Sequence, residues 1–144
     1  MQIVHNRESL LDQIKEYKFR GKKITLIPTM GNLHQGHQAL FSKAPANSIK
    51  IATIYVNPLQ FDKSDDYQNY PRSLQADLEM CRQNNIKLVY VPDGDISNEI
   101  VIEKNIDLPK FTRYLCGQKR EGHFLGVYKV CLLYTSPSPR DDEL

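Results

Sequence analysis

"ITLIPTMGNLHQGHQAL", Ile24–Leu40, is the stretch on which the fold turns. Its first half is a short apolar run that ends at Pro28 and Gly31. Its second half is compatible with a helix, and two histidines, His34 and His37, bracket Gly36 where the halves meet. An apolar strand that passes through a glycine-containing turn into a helix is the repeating unit of a parallel α/β sheet. In such sheets ligands bind beyond the carboxyl ends of the strands, where the next helix presents unpaired N–H groups. The histidine pair falls at that position.

The flanking sequence extends the same pattern. Ser9 followed by "LLDQIKEYKF" reads as a capped amphipathic helix, with Leu10, Leu11, Ile14 and Tyr17 on one side and Gly21 as its stop. A helix is expected from His37 to about Lys43, cut short by Pro45. "IKIATIYV", Ile49–Val56, is nearly continuous in apolar and β-branched residues, as suits a strand covered on both faces. "NPLQF" reads as its exit loop and "FDKSDDY" as a solvated acidic loop. Leu74, Leu78 and Cys81 space out a further helix, "IKLVYVP" a further buried strand, and "EIVIEKNIDL" an edge strand. The fold class expected is α/β, a parallel sheet with right-handed crossovers.

Composition narrows the function. The chain of 144 residues is 40% hydrophobic and 25% charged, which is ordinary for a globular domain with one moderate core. Its 19 basic and 17 acidic residues leave a formal charge of +2, too little for a global field that attracts nucleic acid or an anionic membrane, so any anion site is local. The basic stretch "KEYKFRGKK" is the solvated end of the first helix, where positive charge meets the helix dipole. No apolar run approaches the roughly 20 residues that cross a bilayer, and "MQIVHNRESLLDQ" lacks the pattern of a signal peptide, so a cytoplasmic location is expected. Cys81, Cys116 and Cys131 are odd in number and far apart, which suits reduced thiols, and no structural metal is expected. The end of the chain, "CLLYTSPSPRDDEL", is rich in proline and serine and has no amphipathic period. It resembles the translation of a sequencing-library adapter, so the domain is expected over residues 1–130 and residues 131–144 are expected to be a non-native, disordered tail.

Three constellations carry chemistry. At a helix start, His34 and His37 face the same side and can donate hydrogen bonds to phosphate oxygens, stabilising charge on a leaving pyrophosphate. Nucleotidyl transfer is the natural reaction, with Gly31 allowing an unusual backbone angle and Gly36 leaving room for a base or ribose. Surface histidines beside a helix start satisfy the same pattern. A zinc site has no third ligand at suitable spacing, and no glycine-rich loop ends in Gly-Lys-Ser/Thr. The second constellation is Asn57 and Gln60 in "YVNPLQF", whose neutral amides can orient a small hydroxy acid; an ordinary strand-exit turn is the alternative. The third is Arg120 and His123 in "GQKREGHFLGV", a phosphate clamp or an exposed basic turn.

Taken in order, "IPTMGNLHQGH", "YVNPLQF", "YPRSLQADLE" and "GHFLGV" resemble the pantothenate synthetase (pantoate–β-alanine ligase) family over essentially all of residues 1–127. That resemblance implies a Rossmann-like domain of the HIGH-type nucleotidyltransferases, followed in the family by a smaller domain, and a homodimer. It also implies ATP-dependent condensation of (R)-pantoate with β-alanine through a pantoyl-adenylate, with ATP and Mg²⁺ as cofactors, in the coenzyme A pathway. Carried over by position, Met30, Gly31, Asn32, Leu33, His34, Gln35, Gly36 and His37 would line the ATP site, His37 as proton donor and His34 on the phosphates. Gln60 would contact pantoate and the β-alanine position, with Asn57 nearby, and Arg120 and His123 would match a basic loop. Asp77 falls in a region that some members use near Mg²⁺, but Ala76 and Met80 beside it are not metal ligands.

The sequence departs from the family after "GHFLGV": the later Gly-Glu-Lys-Asp stretch and the serine-serine-arginine loop are absent. The chain is therefore expected to be an amino-terminal fragment with little or no ligase activity. Another H-x-G-H nucleotidyltransferase and a non-catalytic nucleotide-binding remnant are the alternative functions.

Overall fold

The structure is a computed structural model that describes residues 1–61, 63–94 and 96. In chain order the elements are β1 (Gln2–Val4), α1 (Arg7–Phe19), β2 (Lys23–Thr29), α2 (Gln35–Lys43), β3 (Ser48–Ile54), α3 (Ser64–Asn69), α4 (Leu74–Gln83) and β4 (Leu88–Tyr90), with a 3-10 turn over Pro58–Gln60. They fall into two compact units. The first comprises residues 1–56 and 71–94; the second includes residues 57–70.

The first unit is the expected α/β layer. All four strands are parallel, in the order β1-β4-β3-β2. Passing from β2 to β3 to β4 the chain steps across the sheet in one direction, so right-handed crossovers put α2 and α4 on a common face. The core confirms it. Ile27, Ala52 and Val89 share one register row across β2, β3 and β4, and with Ile54 they pack against Phe41 of α2 and Leu78 and Cys81 of α4. Phe41 is fully buried, so its removal leaves a cavity costing about 3–5 kcal/mol. The step from β1 to β2 runs back across the whole sheet, which by the same handedness puts α1, with its buried Leu10, on the opposite face.

Several local features differ from the sequence reading. Helix α1 is capped by Asn6, not Ser9: the Asn6 side chain accepts from the Ser9 N–H at 2.8 Å. Asparagine supplies the short carbonyl that a helix start needs, and Ser9 already lies inside the first turn. Gly21 does stop the helix. At φ +72° it allows a Schellman closure, with Gly21 N–H donating to Lys18 O and Lys22 N–H to Tyr17 O. The acidic stretch read as a loop forms α3, a short helix with Asp65 and Asp66 in its first turn, where acidic side chains oppose the positive end of the helix dipole. Strand β1 has no counterpart in the sequence reading. The edge strand expected over "EIVIEKNIDL", the tail from Cys131 and the outer end of the 1–130 domain lie outside the described residues. No helix among the described residues is long and apolar enough to cross a membrane.

Candidate active site

The carboxyl end of β2 is held before the loop begins. Thr29 is buried; its hydroxyl donates to Thr53 O on β3 at 2.8 Å and accepts from the Gly31 N–H at 3.2 Å. The chain then turns through two consecutive left-handed residues, Gly31 at φ +78° and Asn32 at φ +50°. The unusual angle expected at Gly31 is present, and Asn32 extends it, which asparagine tolerates better than most residues.

Helix α2 starts immediately afterwards, and both histidines build its cap. His34 is the N-cap residue, and its Nδ1 accepts from the Gly36 N–H at 2.9 Å. His37, in the first turn, reciprocates through its own Nδ1, which accepts from the His34 N–H at 3.2 Å. The pair is a capping box in which imidazoles replace the usual serine and glutamate. The ring centroids are 4.2 Å apart.

This cap fixes the chemistry of the pair. An Nδ1 that accepts a hydrogen bond carries no proton, so each neutral ring carries its proton on Nε2. Each Nε2–H is thus a donor suited to a phosphate oxygen. Burial and the neighbouring His34 pull His37 below the ordinary imidazole pKa, while Asp77 acts in the opposite direction. Gly36 also matters to the cap itself. A methyl group there would lie 2.7 Å from His34 Cε1 and 3.0 Å from its Nδ1, so the missing side chain makes space for the His34 ring to fold back over the helix start.

Sequence reasoning missed the main support of this loop. Asp77 of α4 is 2% exposed, and its carboxylate accepts from the Asn32 N–H at 3.0 Å and from the Leu33 N–H at 2.8 Å. Ser73 Oγ donates to it as well, at 3.3 Å. A buried acid on the inner face of a helix was the available signal, but its partners lie 44 and 45 residues away, beyond the reach of any local motif. The same contacts bear on the metal. Both carboxylate oxygens of Asp77 are engaged by N–H and O–H donors, and the described residues contain no group of three His, Cys, Asp or Glu able to hold a metal ion.

In the second unit, Asn57 and Gln60 are both buried and are brought together by the 3-10 turn. Asn57 Oδ1 accepts from the Leu59 N–H at 3.2 Å, and Asn57 Nδ2 donates to Gln60 Oε1 at 3.1 Å. The amide pair is thereby oriented, with Pro58 setting the first turn residue. Phe61 makes edge-on contacts with Tyr67 and Tyr70, each at 5.7 Å between centroids. Arg120 and His123 lie outside the described residues, as do Cys116 and Cys131. Cys81 is free and buried, and burial together with the charge of Asp77 pushes its thiol up to about 11.

A parallel sheet with a histidine-capped helix at the end of one strand matches the class to which the solved structures below belong, a nucleotidyltransferase fold of the HIGH type. Comparison with known proteins is then specific. The family described as Pantoate-beta-alanine ligase matches residues 2–138, and the chain belongs to that family. It is 44% identical to a pantothenate synthetase of Aliivibrio fischeri over 124 residues, which is 84% of this chain and 43% of that protein. A Vibrio atlanticus pantothenate synthetase is 39% identical over 133 residues, 90% of this chain and 45% of that protein. Among solved structures, the pantoate-β-alanine ligase of Francisella tularensis, complexed with β-γ ATP and β-alanine, superposes with a TM-score of 0.78 at 32% identity, covering 93% of this chain and 53% of that one. A pantothenate synthetase of Thermus thermophilus gives 0.77 at 30% identity, covering 95% and 50%. The chain thus spans about half the length of the relatives it matches.

Proposed function

We propose that this chain carries the ATP-handling part of a cytoplasmic pantoate–β-alanine ligase. The observation that carries the reading is the reciprocal histidine cap, which leaves two neutral Nε2–H donors at the start of α2. In the reaction, a carboxylate oxygen of pantoate attacks the α-phosphorus of ATP; the new P–O bond forms as the α–β bridging P–O bond breaks, and pyrophosphate leaves. The amine nitrogen of β-alanine then attacks the acyl carbon, the C–O bond to AMP breaks, and the nitrogen loses a proton. His34 and His37 donate to the phosphate oxygens on which negative charge grows, and the dipole of α2 adds to them. Neither imidazole becomes covalently attached.

Met30–His37 is the segment that lines ATP in this reading, and Gln60, oriented by Asn57, grips pantoate and the β-alanine position; Arg120 and His123 supply further basic groups for the substrates. Mg²⁺ would accompany ATP as its counter-ion. The similarity to a ligase complexed with an ATP compound and β-alanine supports these substrates. A polypeptide of these 144 residues, matching less than half of its curated relatives, is expected to bind ATP without sustained turnover. Calorimetry with ATP, with and without pantoate, and an assay of pantoate-dependent AMP release test both parts. Binding without AMP release is the expected result. Absence of ATP binding would overturn the site, and release at ordinary enzymatic rates would overturn the inactivity of the isolated chain.

A further inference from the structure

We propose that Asp77 is the positioning residue of the nucleotide loop: its carboxylate fills, from within the protein, the anion seat that the 31–33 turn creates. The proposal rests on the ATP-site reading above. Successive backbone N–H groups in a turn can line a concavity that binds an anion. In a glycine-rich phosphate loop that seat receives the ligand's phosphate. Here the Asn32 and Leu33 N–H groups converge instead on the two oxygens of Asp77, at 3.0 and 2.8 Å.

Two further observations show that the seat is shaped for this carboxylate. Ser73, one turn earlier at the start of α4, donates its hydroxyl to Asp77 Oδ1 and so turns the acid toward the loop. Gly31 meets it from the other side, where a methyl group would lie 2.8 Å from Asp77 Oδ2. The left-handed backbone of Asn32 is less favourable for a free chain, and a fixed anion offsets that cost by binding the N–H groups the turn exposes. Leu33 is held at the residue immediately before the N-cap. Asp77 thereby determines where the His34–His37 cap sits relative to α4.

A consequence for ligand binding follows from charge. With a carboxylate in the seat, a second anion at the Asn32 and Leu33 amides would meet like charge, so the triphosphate is directed to the histidines and the start of α2. Asp77 acts on ATP through the loop and touches no reacting atom.

The test combines amide exchange with ATP affinity on the full chain. In the unsubstituted protein, the Asn32 and Leu33 amide protons should be shifted downfield and protected from exchange. Asp77→Asn can accept from only one of them and turns an NH₂ group toward the other, so protection should fall at least tenfold. ATP affinity should fall by a similar factor while the far-UV spectrum is retained. Ser73→Ala removes only the third hydrogen bond and should give a smaller change in the same direction, which keeps the test open if Asp77→Asn fails to fold. Leu10→Ala, on the opposite face of the sheet, should lower the unfolding temperature and leave the ATP affinity of the folded protein unchanged. Fast exchange of both amides in the unsubstituted protein would overturn the proposal, as would unaltered ATP affinity in folded Asp77→Asn. If the unsubstituted chain binds no ATP, the ATP-site reading fails, and the anion seat still stands or falls on the exchange of the two amides.

Discussion

Replacing Gly31 with alanine should damage the chain far more than the same change at Gly21, although the two glycines have nearly the same backbone. Gly21 sits at φ +72° and Gly31 at φ +78°, so an added Cβ has a similar left-handed penalty at each, about 1–2 kcal/mol. Around Gly21 a Cβ meets nothing within 4 Å. At Gly31 it lies 2.8 Å from Asp77 Oδ2 and 3.2 Å from Ile54 Cγ2, a distance at which the carboxylate must withdraw. Withdrawal weakens its bonds to Asn32 and Leu33, and bonds to charged groups contribute about 1.5–3 kcal/mol each. With one such bond lost, Gly31→Ala should cost about 2.5–5 kcal/mol, against about 1–2 kcal/mol for Gly21→Ala. Urea unfolding followed by circular dichroism measures the difference, and the shared backbone term cancels in the comparison. Equal destabilisation of the two variants would refute the reasoning, because it would mean that Asp77 does not occupy the space beside residue 31.

Protonation of His37 should loosen the start of α2. The folded state holds its pKa below the usual value of 6.5, so the neutral ring contributes stability that is fully present above that value and is lost as pH falls through the folded pKa. The unfolding temperature should therefore drop between neutral and mildly acidic pH by more in the unsubstituted chain than in His37→Ala, and parallel pH profiles would contradict this. Phe41→Ala should destabilise by about 3–5 kcal/mol in denaturant unfolding; a cost under about 1 kcal/mol would mean that α2 is not anchored on the sheet through this ring. Cys81, buried and with its thiol pushed up to about 11, should resist alkylation at pH 8 in the native chain and react in urea. Peptide mapping by mass spectrometry distinguishes it from the other two cysteines, and rapid native labelling at Cys81 would be inconsistent with the core described.

The sequence displayed the sheet because its strands and helices differ in local period. "ITLIP", "IKIATIYV" and "IKLVYVP" are apolar runs too short for helices, while Leu74, Leu78 and Cys81 recur at helical spacing; each contains the element that formed, with β3 ending at Ile54 and β4 confined to Leu88–Tyr90. The histidine pair was legible for a similar reason: two rings three apart beside a glycine have few arrangements at a helix start. What escaped the reading depends on distant partners. Strand β1 has three residues and exists through its pairing with β4, far along the chain. Asp77 looks like any acid on a helix until the fold sets α4 beside the loop.

The histidine tautomers bear most directly on the account. Long-range ¹H–¹⁵N spectra of the imidazoles, recorded at neutral pH with and without excess ATP, should show both His34 and His37 as neutral rings protonated at Nε2, with both Nε2 signals moving when ATP is added. A proton on Nδ1 of either ring, or Nε2 signals that ignore the nucleotide, would contradict it.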